Sequence, residues 1–165
     1  MENIEITKVT PADIDRLQGI SRQTFSETFS AANTEENMRK YLDKDLSVEK
    51  LSAELNNENS AFYFALFHNQ VIGYLKLNTG QAQTDLKDEK ALEIERIYVL
   101  KEFHGKAVGQ LLYEKAIQVA RQINAGYVWL GVWEENHRAI SFYRKNGFVA
   151  FSTHVFMLGD DAQTD

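Results

Sequence analysis

Cysteine is absent from the 165 residues, which removes disulfides, thiolate metal sites and any covalent cysteine mechanism. No run of about 20 apolar residues is present, so no segment is long enough to cross a bilayer as a helix. The opening MENIEITK is acidic and lacks the apolar stretch of a signal peptide. Positive charge is also in deficit. The balance is 18 Lys and Arg against 24 Asp and Glu, a net charge of −6, which is not the footprint of a nucleic-acid-binding surface. That balance is compatible with a cationic substrate, although it is weak evidence by itself. There is no G-x-x-x-x-G-K-S/T loop, no G-x-G-x-x-G, no H-E-x-x-H and no G-x-S-x-G, so kinase, dehydrogenase, metalloprotease and α/β-hydrolase readings have no support. These absences leave a cytoplasmic protein with no membrane or nucleic-acid partner and no metal as the expectation.

What is present suits one domain over residues 1–165. Hydrophobic residues make up 44% and charged residues 25%, ordinary globular usage that argues against wholesale disorder. Ile4 to Val9 alternates apolar and polar, as a half-buried strand does. Thr10-Pro11-Ala12-Asp13 reads as a helix start with a capping box, ahead of a stripe of Ile14, Leu17, Ile20 and Phe25. Thr34 and Ser47 look like two further N-caps, making 10–56 helical in two or three pieces. Ala61–Phe67 and Val71–Leu77 predict a hairpin, 78–90 a loop and Leu92–Val99 another strand. Val108, Leu111, Leu112, Ala116, Val119, Ala120 and Ile123 predict a long amphipathic helix. Tyr127–Trp133 predicts a strand, Asn136–Asn146 a short helix ending at Gly147, and Phe148–Met157 a last strand. The order β-αα-βββ-α-β-α-β describes a mixed α/β fold.

The segment most able to carry chemistry is Tyr98-Val99-Leu100-Lys101-Glu102-Phe103-His104-Gly105-Lys106-Ala107-Val108-Gly109-Gln110. A buried strand runs through a short glycine-containing loop straight into a long helix. Unpaired N–H groups in the first helical turn, with the helix dipole behind them, make an anion site of phosphate-binding type. Lys106 would add a point charge. The plainer alternative is a strand-to-helix turn in which Gly105 and Gly109 serve geometry alone.

His104-Gly105-Lys106-Ala107-Val108-Gly109 resembles the Gln/Arg-x-x-Gly-x-Gly/Ala loop of the GNAT-superfamily acetyltransferases. Asn136 and Ala139-Ile140-Ser141-Phe142-Tyr143-Arg144-Lys145-Asn146-Gly147-Phe148 are similar to that family's Asn…Ala-x-x-Phe-Tyr-x-x-x-Gly-Phe signature. Leu92–Val99, Trp129–Glu134, Gly159–Asp165, Thr24–Phe29 and Glu36-Asn37-Met38 further resemble bacterial spermidine/spermine N-acetyltransferases first described as negative regulators of protease synthesis and sporulation. The resemblance spans nearly the whole chain. It implies a mixed, mostly antiparallel sheet that splays between two parallel strands, with helices on both faces. It implies acetyl-CoA as co-substrate, direct transfer to a primary amine, a homodimer, and one more strand after Asp165, so that the sequence is expected to stop short of its relatives.

The same resemblance assigns residues. Tyr143 would protonate the departing thiolate, a transfer that the ordinary phenol and thiol pKa values of ~10 and ~8.5 make unforced. Glu95, with Glu93 as second choice, would take the proton of the amine; their alternation places both on one sheet face. Ile97, Tyr98 and Val99 would pair with pantetheine through their backbone, Val99 N–H polarising the acetyl carbonyl. His104, Gly105, Lys106, Ala107, Val108, Gly109 and Gln110 would hold the pyrophosphate, and Asn136 would cap its helix and touch pantetheine or the acetyl group. His104 and Ala107 depart from the family pattern: the imidazole lacks a permanent charge, and Ala107 is comfortable only at negative φ. Glu27, Glu35 and Glu36 are read mainly as a solvated acidic face. His68, His137 and His154 are read as surface or structural residues. The acceptor stays open between polyamine, protein N-terminus and other small amine, and a non-catalytic acetyl-CoA-binding regulator is the alternative outside enzymes.

Overall fold

The alternating N-terminal segment forms β1 (Ile4–Lys8), and Thr10 then starts the helical region as the capping box requires. Its backbone N–H and hydroxyl both donate to Asp13 Oδ2, at 3.0 and 3.2 Å. After one tight turn over Pro11–Asp13 comes α1 (Ile14–Phe29), followed by α2 (Glu35–Lys44) and α3 (Val48–Leu55). The Thr34 and Ser47 side chains accept from Asn37 and Lys50 N–H at 3.1 Å, satisfying orphan donors at both helix starts. The chain continues through β2 (Ser60–Phe67), β3 (Gln70–Asn78), β4 (Ala91–Val99), α4 (Val108–Gln122), β5 (Tyr127–Gly131), α5 (His137–Lys145), β6 (Val149–Ala150) and β7 (Val155–Gly159). This computed structural model describes residues 3–133, 135–151 and 155–159. His154, the 160–165 segment and any strand beyond Asp165 lie outside the described residues.

Among the described residues the sheet has seven strands in the order β1-β2-β3-β4-β5-β7-β6. All neighbours are antiparallel except β4 and β5. Successive residues of β2 show that helices cover both faces. Phe64 lies under Arg16 of α1, whereas Tyr63 faces Lys115 of α4. The core between them includes Leu17, Phe62, Phe64, Ile72 and Leu75 on the strands and α1, with Leu112 and Ala116 from α4. The expected α/β architecture is therefore the observed one.

Two strand boundaries differ from the expectation. The single strand 148–157 is instead β6 and β7, an antiparallel pair in which Val149 opposes Met157 and Ala150 opposes Phe156. Phe151 N–H still donates to Val155 O at 2.8 Å as the chain reverses. No Gly, Pro or Asn marks that reversal in 149–157, which is why periodicity ran through it. The strand expected to reach Trp133 ends at Gly131, because its partner has already diverged: parallel pairing of β4 with β5 is confined to Ala91/Tyr127, Leu92/Val128 and Glu93/Trp129.

Candidate active site

Beyond Glu93 and Trp129 the two parallel strands separate, and the gap opens a cleft of about 880 Å³. Two backbone features shape it. First, β4 carries a bulge: Lys76 pairs with Arg96 but Leu77 with Ile94, leaving Glu95 as the extra residue. A bulge re-aims its side chain, so Glu95 reaches the cleft by interrupting the strict alternation expected over 92–99. Second, Leu100 N–H donates to Ile72 O, which makes that pair the hydrogen-bonded one. Antiparallel pairs alternate, so the backbone groups of Val99 and Ile97 point away from β3, toward the side where β5 no longer pairs. An unpaired strand edge inside a sheet is a template for an extended ligand.

The Val99 carbonyl is already taken. His104 Nε2 lies 2.8 Å from it, and since a carbonyl only accepts, Nε2 carries the proton. The imidazole therefore makes that hydrogen bond within the loop, while the residue still lines the cleft. The loop then turns through Gly105 at φ 78° and Ala107 at φ 65°. Ala107 thus sits in the left-handed region, the strained of its two options. Val108, Gly109 and Gln110 present first-turn N–H groups that lack intrahelical acceptors, and all three line the cleft. A Cβ built on Gly109 would meet only Phe142 and Val99 side-chain carbons at 4.0 Å, so the protein itself leaves room there. A backbone this bare, at a helix start, fits the close approach of a phosphate. Ala107→Gly is expected to raise stability by about 1 kcal/mol, relieving left-handed strain less the added unfolded-state freedom. For a chain of this size that is roughly 2–4 °C in Tm. A thermal melt with no increase would contradict the strain.

Asn136 caps α5, its Oδ1 accepting from Ala139 N–H at 3.2 Å. Tyr143, two turns on from that cap, is 7% exposed and packs against Phe142 and Phe148 at 5.6 Å between ring centroids. Its hydroxyl makes no hydrogen bond to the described residues, and burial, with Tyr98 nearby, pushes its pKa above the ordinary phenol value. The phenol therefore keeps its proton at any working pH, and complete transfer to a thiolate of pKa ~8.5 runs uphill, not unforced. Burial likewise raises Tyr98, which lines the same cleft.

Glu95 is embedded in an ionic network. Lys76 Nζ lies 2.7 Å from Glu95 and 2.8 Å from Glu54, and Arg96 Nη2 lies 3.2 Å from each of these carboxylates. Asn78 Nδ2 adds donations to Glu95 at 2.7 Å and to Glu93 at 2.9 Å. Burial alone would raise the Glu95 carboxyl, but Arg96 and then Lys76 outweigh it and hold the pKa below its ordinary value. A depressed carboxylate stabilises the fold above the unfolded pKa of ~4.3, and that contribution is lost as pH falls through the folded value. Glu95→Gln is therefore expected to flatten the acid limb of a stability–pH curve measured by urea unfolding; an unchanged limb would contradict the network. Glu93 plays another part. It is 2% exposed, accepts from Asn78, Thr84 N–H and the Thr84 hydroxyl, and does not line the cleft.

The cleft thus gathers Glu95, Ile97, Tyr98, Val99, His104, Gly105, Ala107, Val108, Gly109, Gln110, Asn136 and Tyr143. Lys106 is exposed and does not line it, so its expected point charge falls to others. Lys101, Arg138 and Lys145 line the cleft instead. Arg138, Phe142 and Lys145 stand at i, i+4 and i+7 on α5, a spacing that could have revealed them beside the Phe-Tyr motif. The Gln110 side chain ties α4 to α5 by donating to Asn146 Oδ1 at 3.1 Å. Glu27 lines the cleft while its Oε1 accepts from Lys101 N–H at 2.9 Å, whereas Glu35 and Glu36 lie exposed on α2, away from it. Among the described residues no group of His, Asp or Glu could hold a metal ion, and no helix is long and apolar enough to cross a membrane.

Comparison with known proteins agrees with this geometry. The model of the Acetyltransferase (GNAT) family matches residues 20–148. An uncharacterized N-acetyltransferase encoded in the pepI 3′ region of Lactobacillus delbrueckii subsp. lactis is 42% identical over 165 residues, covering all of this chain and 95% of that protein. The spermidine N(1)-acetyltransferase of Thermoplasma acidophilum is 27% identical over 150 residues, 88% of each chain. Among solved structures, the PaiA N-acetyltransferase from Thermoplasma acidophilum in complex with coenzyme A superposes with a TM-score of 0.81 at 24% identity, covering 94% of this chain and 98% of that one. An open strand edge in a splayed sheet, beside a bare helix start, belongs to an acyl-CoA-dependent transferase, and this chain belongs to the GNAT acetyltransferase family. Its co-substrate is acetyl-CoA and its reaction an N-acetylation.

Proposed function

We propose that the acceptor is a primary amine of a polyamine such as spermidine or spermine. The observation that carries this reading is the placement of carboxylates: Glu27 at the end of α1, Glu95 in the β4 bulge and Glu135 after β5 all line the cleft. Cationic lining comes from elsewhere, namely Lys101, Arg138 and Lys145, on the loop before α4 and on α5. One set of elements suits an ammonium and the other suits phosphates. The similarity to a spermidine N(1)-acetyltransferase supports the same choice.

In this reading pantetheine lies along Ile97, Tyr98 and Val99. Pyrophosphate sits on the N–H groups of Gly105 and of Ala107 to Gln110, with Asn136 also lining the cleft, and the Val99 N–H turns toward the acetyl carbonyl. An ammonium has no lone pair for attack, so its proton must leave first. Glu95, kept ionised by Arg96 and Lys76, draws the cation in and accepts that proton through water. The free amine then attacks the thioester carbonyl; the C–N bond forms, the C–S bond breaks, and the second proton, shed by the attacking nitrogen, balances the departing thiolate, whose sulfur is met by the hydroxyl of Tyr143. Holding two reactants in line supplies much of the acceleration.

Release of free CoA thiol from acetyl-CoA, measured against spermidine, spermine, lysine, N-terminal peptides and an aminoglycoside, tests this. Turnover concentrated on the polyamines is expected. Preferred turnover of peptide N-termini or of lysine would overturn the polyamine assignment.

A further inference from the structure

Trp133 is 40% exposed, in contrast to Trp129, which is buried and donates its indole N–H to Gln83 at 2.7 Å. It stands at the end of a ladder of rings. Tyr41 stacks on Phe25 with centroids 4.1 Å apart and planes 6° from parallel, Phe25 meets Phe29 at 4.8 Å, and Phe29 meets Trp133 at 5.7 Å. This ladder runs from α2 across the C-terminal turn of α1 to the segment following β5. Its last two rings, Phe29 and Trp133, line the catalytic cleft, and each is two residues from a carboxylate that also lines it, Glu27 and Glu135. A large indole left open to solvent loses hydrophobic stabilisation unless something covers it. Phe29 braces the indole from one side only.

We propose that Phe29 and Trp133 form the aromatic wall of the acceptor subsite, holding the alkyl-ammonium chain beyond the nitrogen that is acetylated; this rests on the polyamine reading. The chemistry of the wall selects that occupant. Methylenes pack on ring faces, a protonated nitrogen is attracted to the indole quadrupole, and flanking carboxylates complete its neutralisation. A neutral chain gains only the first of these contributions, and an anionic one is repelled.

The test compares wild type with Trp133→Ala and Trp133→Phe, using spermidine and n-butylamine as acceptors. Trp133→Ala is expected to raise KM for spermidine about tenfold, equivalent to about 1.4 kcal/mol, with kcat and the KM for acetyl-CoA unchanged. The n-butylamine KM should rise less, and Trp133→Phe should restore most of the spermidine affinity. In parallel, spermidine should quench wild-type tryptophan emission but not that of Trp133→Phe, a readout independent of turnover. An unmoved spermidine KM in Trp133→Ala, with wild type active on spermidine, would overturn the wall and leave the polyamine reading standing. A rise confined to the acetyl-CoA KM would place the indole on the cofactor side and also overturn it. If wild type acetylates no polyamine, yet spermidine still quenches Trp133, the subsite stands and the acceptor assignment falls; no quenching in that case overturns both.

Discussion

Tyr143→Phe is expected to lower kcat about a hundredfold, the low end of what a positioned acid contributes and equivalent to about 2.7 kcal/mol of barrier. The KM for acetyl-CoA should change by less than about twofold, because an interaction made only in the transition state does not hold the ground-state ligand. What makes the experiment clean is the surroundings of the hydroxyl. It makes no hydrogen bond to the described residues, so removing it orphans no buried partner, and phenylalanine keeps the ring contacts with Phe142 and Phe148. Thermal stability should therefore stay within about 0.5 kcal/mol of wild type. Burial and Tyr98 hold the phenol protonated, so in the proposed reaction it would act as a permanent donor toward the sulfur, and no basic limb from its ionisation should appear near neutrality. A variant as fast as wild type would remove Tyr143 from the chemistry. If Tyr98→Phe were then slow, the other phenol lining the cleft would take the role.

Lys76→Met is expected to cost about 3 kcal/mol at neutral pH, as breaking a buried pair by deleting one partner generally does. For this chain length that lowers Tm by roughly 6–12 °C. Lys76 is buried in mid-sheet between Glu54 and Glu95, and without it the two carboxylates share one described cation, Arg96. The deficit should shrink as pH falls through the carboxylate range, since protonating Glu95 removes uncompensated charge. Adding Glu54→Gln should recover part of the loss at neutral pH by restoring charge balance. Urea unfolding of wild type, single and double variants at about pH 7 and pH 4 decides it; an unchanged Lys76→Met midpoint would mean that the network is ornamental. The network also bears on chemistry, because the same two cations that stabilise Glu95 make it a reluctant proton acceptor.

Much of this was legible in the residues. Capping signals at Thr10, Thr34, Ser47 and Asn136 are local: a side-chain oxygen three residues ahead of an N–H settles the helix start wherever the helix goes. The amphipathic period of α4 and the alternation of β1 likewise state which face will be buried. The strand–loop–helix junction and the Phe142-Tyr143 motif marked the cleft for the same reason, since each packs its chemistry into consecutive residues. The sequence by itself therefore determined the elements and their order as far as Gly147, and singled out two segments that line the cleft.

Only the tertiary structure decided what depends on partners far along the chain. The bulge at Glu95 exists because β3 sets the register of β4, and Lys76 reaches that carboxylate from 19 positions away while also pairing with Glu54. The point at which β4 and β5 part is a property of two strands, so neither alone could show that the Tyr127 strand ends at Gly131. Ala107 takes a positive φ because the loop must enter α4 from a fixed strand end, which overrides the preference of the residue. Which cations line the cleft, Arg138 and Lys145 but not Lys106, follows from how α5 faces α4. Local chemistry is written in neighbouring residues; the pairing, divergence and charge balance that make a site arise only when distant segments share one sheet.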